Sequence, residues 1–183
     1  LAYLAGQACL EFHVALSTTA DLERPVVVVI DLDPPSNTSL AVLREVAGAM
    51  CDRFADNGLE PYVQATGGRG FHVVAPLTGD TEFDAVRAFA RDIADSAMRD
   101  DPDRLTTEQR KAQRGERIFL DTNRNAYGQT MIAPYSLRAR RGAPAATPLR
   151  LSELRRADPR DHGLANMTRR IKRHGDPWAA LGR

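Results

Sequence analysis

The chain has 183 residues, of which 43% are hydrophobic, 27% charged and 6% aromatic, with a formal net charge of +1. This is the make-up of one globular domain with its own core, and it excludes a disordered, collagenous or coiled-coil chain. The near-neutral total hides an asymmetry: residues 1–103 carry 7 basic and 17 acidic side chains, whereas residues 104–183 carry 18 basic and 7 acidic.

The start of the chain has no basic stretch followed by an apolar one, so no signal peptide is expected. The first residue is not Met, and the natural N-terminus is expected to lie upstream. Pro25 to Ile30 is the longest apolar run, far short of the roughly 20 residues that span a bilayer, and no membrane partner is expected. Val26 to Leu32 is apolar and β-branched, as in a strand covered on both faces. Leu43, Val46, Ala47, Met50, Cys51 and Phe54 recur at helical spacing, with Gly58 and Pro61 as stop signals. Pro61 to Ala65 and Phe71 to Leu77 read as strands joined by the turn Gly67-Gly68-Arg69-Gly70. Thr81 and Asp84 form a candidate capping box for a helix bearing Phe83, Val86, Phe89, Ala90, Ile93 and Ala97. Short strands are expected at Arg117 to Asp121 and Gln129 to Pro134. Gly142 to Pro148 is extended, and the tail from Leu151 carries short helical pieces ending in Asp176-Pro177-Trp178. This order predicts an α+β, mixed-sheet domain. Cys9 and Cys51 are too few for a disulfide framework and read as buried thiols in a reducing cytoplasm.

Asp31 and Asp33 end the most apolar strand and share one of its faces. Two such carboxylates need a positive partner, and divalent ions supply one while neutralising a phosphate substrate. Taken alone, the pair also reads as a strand end capped by Asp. Asp121 ends a second strand; if the two strands are neighbours, three carboxylates converge. The loop from Thr66 to His72 offers backbone N–H groups to an anion through its glycines, Gly68 among them, with Arg69 and His72 adding charge. Its plainer reading is a glycine-rich hairpin with a core histidine. Arg124, Arg138, Arg140 and Arg141 follow Asp121, and the planar guanidinium fork suits phosphate oxygens. The basic second half is a candidate polyanion surface or a solvated basic face.

Together these segments resemble the archaeo-eukaryotic primase superfamily. Val29-Ile30-Asp31-Leu32-Asp33-Pro34, the Thr66 to His72 loop and Phe119-Leu120-Asp121 are similar to its three motifs. Within it, the run from Gly128 through Ala133-Pro134-Tyr135-Ser136-Leu137-Arg138-Ala139-Arg140 and the stretch Gly142 to Leu149 resemble the polymerase domain of bacterial DNA ligase D and its stand-alone relatives. The resemblance implies a mixed-sheet catalytic core with flanking helices, formed by residues 1–183 as one domain. It implies a nucleotidyltransferase that adds nucleotides, often ribonucleotides, to DNA 3′ ends and fills gaps in non-homologous end joining. Its implied partners are gapped or broken DNA, nucleoside triphosphates, Ku and a ligase, in the bacterial cytoplasm at the nucleoid. Two divalent ions, Mn2+ or Mg2+, would be held by Asp31, Asp33 and Asp121. Thr66 and His72 would contact the triphosphate; Arg124, Arg138 and Arg140 would line the nucleotide and primer site; and His13 would lie near the metals. Two departures stand out. Thr66 occupies a position that is usually Ser, and the family's domain extends further at the N-terminus, in a part that grips a 5′-phosphate and stacks on template bases.

Two other classes fit part of the pattern. A haloacid-dehalogenase-like phosphatase would use Asp31 as nucleophile and Asp33 as acid/base, but needs a lysine that neither Lys111 nor Lys172 supplies in context. A catalytically inactive DNA-binding module would have no use for three carboxylates.

Overall fold

The computed structural model describes residues 2–181. In chain order the elements are helix α1 (Ala2–Gly6), strands β1 (His13–Ala15), β2 (Ser17–Thr18), β3 (Asp21–Pro25) and β4 (Val27–Asp33), and helix α2 (Leu40–Asp56). Strands β5 (Tyr62–Ala65) and β6 (Phe71–Pro76), helix α3 (Phe83–Asp100), and strands β7 (Leu105–Thr106), β8 (Ile118–Asp121), β9 (Thr130–Ile132) and β10 (Thr147–Leu149) follow. Helices α4 (Leu151–Leu154) and α5 (Met167–His174) complete the chain. Six strands form one sheet in the order β10-β5-β6-β4-β8-β7. Every pair in it is antiparallel except the parallel β7–β8. The expected α+β, mixed-sheet class is the observed one. Two small ribbons, β1–β9 and β2–β3, lie outside this sheet.

Period-two alternation decides what each face does. Val28, Ile30 and Leu32 of β4, Phe71, Val73 and Ala75 of β6, and Ile118 and Leu120 of β8 belong to one core cluster. Helices α2 and α3 cover it, the first with Leu43, Val46, Ala47, Met50 and Phe54 and the second with Val86, Ala90, Ile93, Ala94 and Ala97. Ser39 caps α2 by accepting a hydrogen bond from the Val42 N–H at 3.3 Å. Beyond Asn57 the chain turns at Gly58, whose φ of +76° lies in the left-handed region. The other face of the sheet is apolar only at one end, where Val29, Val74 and Tyr62 pack with Leu16, Met131 and Trp178. The Trp178 and Tyr62 rings meet edge to face, 6.1 Å apart, and fasten the tail to the sheet.

Three expectations need correction. The Thr81–Asp84 capping box does not form. The helix begins at Phe83, so Glu82 is the cap residue; its side chain makes no capping bond and pairs instead with Arg24 at 3.1 Å. Asp84 still lies in the first turn, where the helix dipole favours an anion. Cys9 is only half-buried, its thiol directed at the Glu11 carbonyl, so of the two cysteines only Cys51 is a core thiol. Burial pushes the Cys51 thiol up to about 12, and it stays protonated. Finally, β1, β2, β3 and β7 have no counterpart among the expected strands. They are two to five residues long and half-exposed in part, too short to show a period. No helix among the described residues is long and apolar enough to cross a membrane.

Candidate active site

The same alternation that fills the core sends the polar residues to the opposite face. Antiparallel registry sets Gln64 of β5 opposite His72 of β6, His72 opposite Asp31 of β4, and Asp31 opposite Asp121 of β8. Four neighbouring strands therefore carry one polar row across the sheet. Asp33 and Phe119 form the next pair on the same face of β4 and β8. The row and that pair open into a cleft of about 570 Å³ lined by Asp31, Asp33, Asp121, Thr66, Gly68 and Arg69, together with His72, His13 and several arginines.

The charges in the cleft are arranged in pairs. Asp31 lies 3.5 Å from the His72 Nε2 and 3.7 Å from the Arg124 Nε, and Arg124 reaches Asp121 at 3.9 Å. Burial raises the Asp31 carboxyl's affinity for a proton, but His72 and Arg124 outweigh it and hold the group below the usual aspartate range. Asp33 is held differently, between Arg69 at 3.4 Å and Arg114 at 3.3 Å. The Arg114 guanidinium also lies over the Phe119 ring, 3.6 Å from its centre, and donates to the carbonyls of Glu108 and Gln109.

The Thr66–Gly70 turn is shaped by one hydroxyl and one missing side chain. Thr66 donates to the Gly70 carbonyl at 2.9 Å and accepts from the Gly68 N–H at 3.2 Å, so its proton holds the loop. A Cβ on Gly70 would sit 1.8 Å from the Leu32 carbonyl oxygen. Only glycine lets the loop press against the end of β4 beside Asp33. Arg160, arriving from the tail, donates to the Gly68 carbonyl at 2.8 Å and lines the cleft.

The structure brings every expected site residue to this cleft: Asp31, Asp33, Asp121, Thr66, Gly68, Arg69, His72, Arg124, Arg138, Arg140 and His13 all line it. His13 arrives on the β1–β9 ribbon, opposite Ile132, with Glu11 3.7 Å away. Glu11 also binds Arg138 at 3.4 Å and the Ala139 N–H at 2.8 Å, tying the N-terminal segment to the arginine-bearing loop. Sequence reading missed Arg114, Arg160 and Asn125. Asn125 is fully buried, and its amide pairs with both backbone groups of Val29, at 2.9 and 2.7 Å. It stands in for the strand residue that would follow Asp121, and so fixes the turn that carries Arg124. An Asn four residues beyond a strand-ending Asp was the only available signal.

Asp31, Asp33 and Asp121 offer the hard oxygen donors that magnesium and manganese prefer. The Asp31 carboxylate is largely buried, and its contacts of 3.5 and 3.7 Å are longer than ordinary charge-assisted hydrogen bonds. Such a group suits a closer cation. As arranged, however, no three His, Cys, Asp or Glu side chains among the described residues are gathered closely enough to form a metal centre. Asp33 is turned to its two arginines instead. Among the described residues no lysine lines the cleft, which removes the phosphatase reading's required group.

Comparison with known proteins bears on the family and the fold. The family described as "LigD, primase-polymerase domain" matches residues 1–178. The chain is 31% identical to the multifunctional non-homologous end joining protein LigD of Pseudomonas aeruginosa, over 93% of this chain and 21% of that protein. It is 31% identical to the bifunctional non-homologous end joining protein LigD of Bacillus subtilis, over 97% of this chain and 29% of that protein. The chain thus spans less than a third of the length of these relatives. Its fold is similar to the polymerase domain from Mycobacterium tuberculosis ligase D in complex with DNA, with a TM-score of 0.88 and 32% identity. That match covers 98% of this chain and 66% of the other.

Proposed function

We propose that this chain, which belongs to the LigD primase-polymerase domain family, is a metal-dependent nucleotidyltransferase that adds nucleotides to DNA 3′ ends and fills gaps in non-homologous end joining. The observation that carries the reading is one cleft in which Asp31, Asp33 and Asp121 face the Thr66–Gly70 loop and the arginines 124, 138 and 140. Carboxylates facing guanidinium groups across a polar cleft suit a nucleoside triphosphate, whose phosphates need cations on one side and forked donors on the other.

In this reading Asp31, Asp33 and Asp121 are the ligands of divalent ions, manganese or magnesium, which would neutralise charge on the reacting phosphate. Arg69 and Arg114, now on Asp33, have donors free to turn toward phosphate when that carboxylate is engaged elsewhere. His72 and the loop stapled by Thr66 receive the triphosphate; Arg138 and Arg140 hold nucleotide and primer; and His13 borders the carboxylates. Arg124 orients Asp31 and Asp121 toward one point. Residues 1–183 act as a single catalytic domain, with broken or gapped DNA, a ligase and Ku as partners in the bacterial cytoplasm. The names of the relatives, all non-homologous end joining proteins, support that setting.

Nucleotide incorporation on a gapped duplex, with manganese, with magnesium and with chelator, tests the proposal. Extension of the 3′ end that depends on a divalent ion is the expected result. No incorporation by the folded protein with either ion overturns it.

A further inference from the structure

Helix α5 reads Met-Thr-Arg-Arg-Ile-Lys-Arg-His and contains no acidic residue. Its basic side chains do two different things. Arg170 turns inward, gripping both oxygens of Glu153 at 2.7 Å and the Pro148 carbonyl at 3.2 Å, which pins the helix beside β10. Arg150 reaches the carbonyl of His174 at its other end. Arg169, Lys172 and Arg173 point the other way. They stand at positions i, i+3 and i+4 on one exposed face, and among the described residues none of them forms an ion pair. Like charges at this spacing destabilise an isolated helix, and here the Arg170 anchor holds them in place.

A continuous path leads from this face to the cleft. Arg160 lines the cleft, and residues 161–166 run directly from it into α5. This connector is laced to the segment that carries Arg138, Arg140 and Arg141. The His162 carbonyl accepts from the Ala145 N–H at 2.7 Å, and the Leu164 N–H donates to the Ala143 carbonyl at 3.1 Å. Of the 11 basic side chains from residue 138 to residue 175, Arg138, Arg140 and Arg160 line the cleft and Arg169, Lys172 and Arg173 stand on α5, whereas Arg155 lies beside α2; the same stretch has 3 acidic side chains. Those three acids are occupied: Glu153 by Arg170, Asp158 by the Arg160 N–H, and Asp161 by the Asp158 N–H. Cations thus stand at both ends of this connector, in the cleft and on α5.

We propose that the exposed face of α5, formed by Arg169, Lys172 and Arg173, binds the phosphate backbone of the duplex arm whose end sits in the cleft. The inference rests on the DNA-end reading above and adds a second contact surface to it. An eight-residue helix is about 12 Å long, so the face meets two or three phosphates of a rigid duplex. These contacts carry no sequence information; they set register and add affinity.

The test compares the parent with the triple variant Arg169→Gln/Lys172→Gln/Arg173→Gln. Labelled gapped duplexes with arms of graded length are titrated over a salt series, and incorporation is measured at saturating DNA. The three side chains bear no internal contact and their mutual repulsion is removed, so an unchanged or slightly higher Tm is expected. On a long arm at about 0.1 M salt, affinity falls at least about tenfold, and the slope of log affinity against log salt becomes shallower by about 2 to 3. The deficit shrinks as the arm shortens and no longer reaches α5, and the rate at saturating DNA is unchanged. Equal affinity and slope on the long arm overturn the proposal. If the parent adds no nucleotide but the triple variant still loses long-arm affinity, the catalytic reading fails and this surface stands. If the parent is active and the triple variant binds as well as it does, the surface alone fails.

Discussion

Asp31 and Asp121 stand directly opposite each other on neighbouring antiparallel strands, two carboxylates at a position where like charges repel. Arg124 lies 3.7 Å from one and 3.9 Å from the other and belongs to the turn that immediately follows Asp121. The turn is held from behind by Asn125, whose amide pairs with Val29 in the strand that carries Asp31. One strand thus supplies a carboxylate and anchors the arginine that balances it.

Replacing Asp31 or Asp121 by Asn keeps the shape and removes the charge. Nucleotide addition is expected to fall by about a thousandfold or more in each variant, since the proposed divalent-ion site would lose a ligand. The fold remains, by circular dichroism and thermal melting. Full activity in either variant would remove that residue from the metal site.

Arg124→Ala leaves the opposed carboxylates without their shared cation, whereas Arg140→Ala removes a cleft cation that pairs with no acid among the described residues. The first is expected to lower kcat by about a hundredfold. The second is expected mainly to raise the KM for nucleotide or DNA. Steady-state kinetics of both variants distinguish these outcomes, and equal, negligible effects would make both arginines surface charge.

Gly70→Ala places a methyl group 1.8 Å from a backbone oxygen, a contact no side-chain rotation relieves. The loop must leave β4, at a cost of about 2 kcal/mol or more, and nucleotide affinity falls with it. Chemical denaturation and nucleotide titration measure both effects; unchanged values would mean that the close approach is dispensable.

Asn125→Leu strips the Val29 N–H and C=O of their partners in a fully buried place. An expected loss of about 3 kcal/mol follows from two stranded backbone groups. Asn125→Asp keeps the acceptor, loses the donor and buries a charge, so it should also destabilise. Urea denaturation of the two variants is the measurement.

Glu153 is drawn down to about 2, chiefly by the Arg170 hydrogen bonds. Its folded pKa is depressed, so its stabilisation is fully present above the unfolded value of about 4.3 and is lost as pH falls through about 2. Glu153→Gln should cost about 2 kcal/mol at neutral pH, and the gap between parent and variant should narrow below about pH 4 and close near pH 2. A pH-independent gap would show that packing, rather than charge, accounts for the loss.

Much of the site was legible because strand alternation is a local property. Asp31 and Asp33 share a face by their spacing, and the β-branched run before them could only be a covered strand. The convergence of Asp121 needed the additional fact that β8 lies beside β4, which registry supplies and spacing does not. Expectation failed where the determining contact is remote or a boundary moves by one residue. Thr81 lost its cap because α3 starts at Phe83, and Glu82 found a partner in Arg24, far away in the chain.

What the amino-acid order determined by itself was the set of faces. A period of two set which residues of β4, β6 and β8 share a face, Val28, Ile30 and Leu32 on one and Val29, Asp31 and Asp33 on the other; spacings of three and four did the same for α2 and α3. The tertiary structure alone decided which charges meet. Arg114 reaches Asp33 across 81 positions, Arg160 reaches Gly68 across 92, and Asn125 reaches Val29 across 96. Such pairings depend on which strands become neighbours and where loops return. Those choices are made by burial of the whole core, and no short window of sequence contains them.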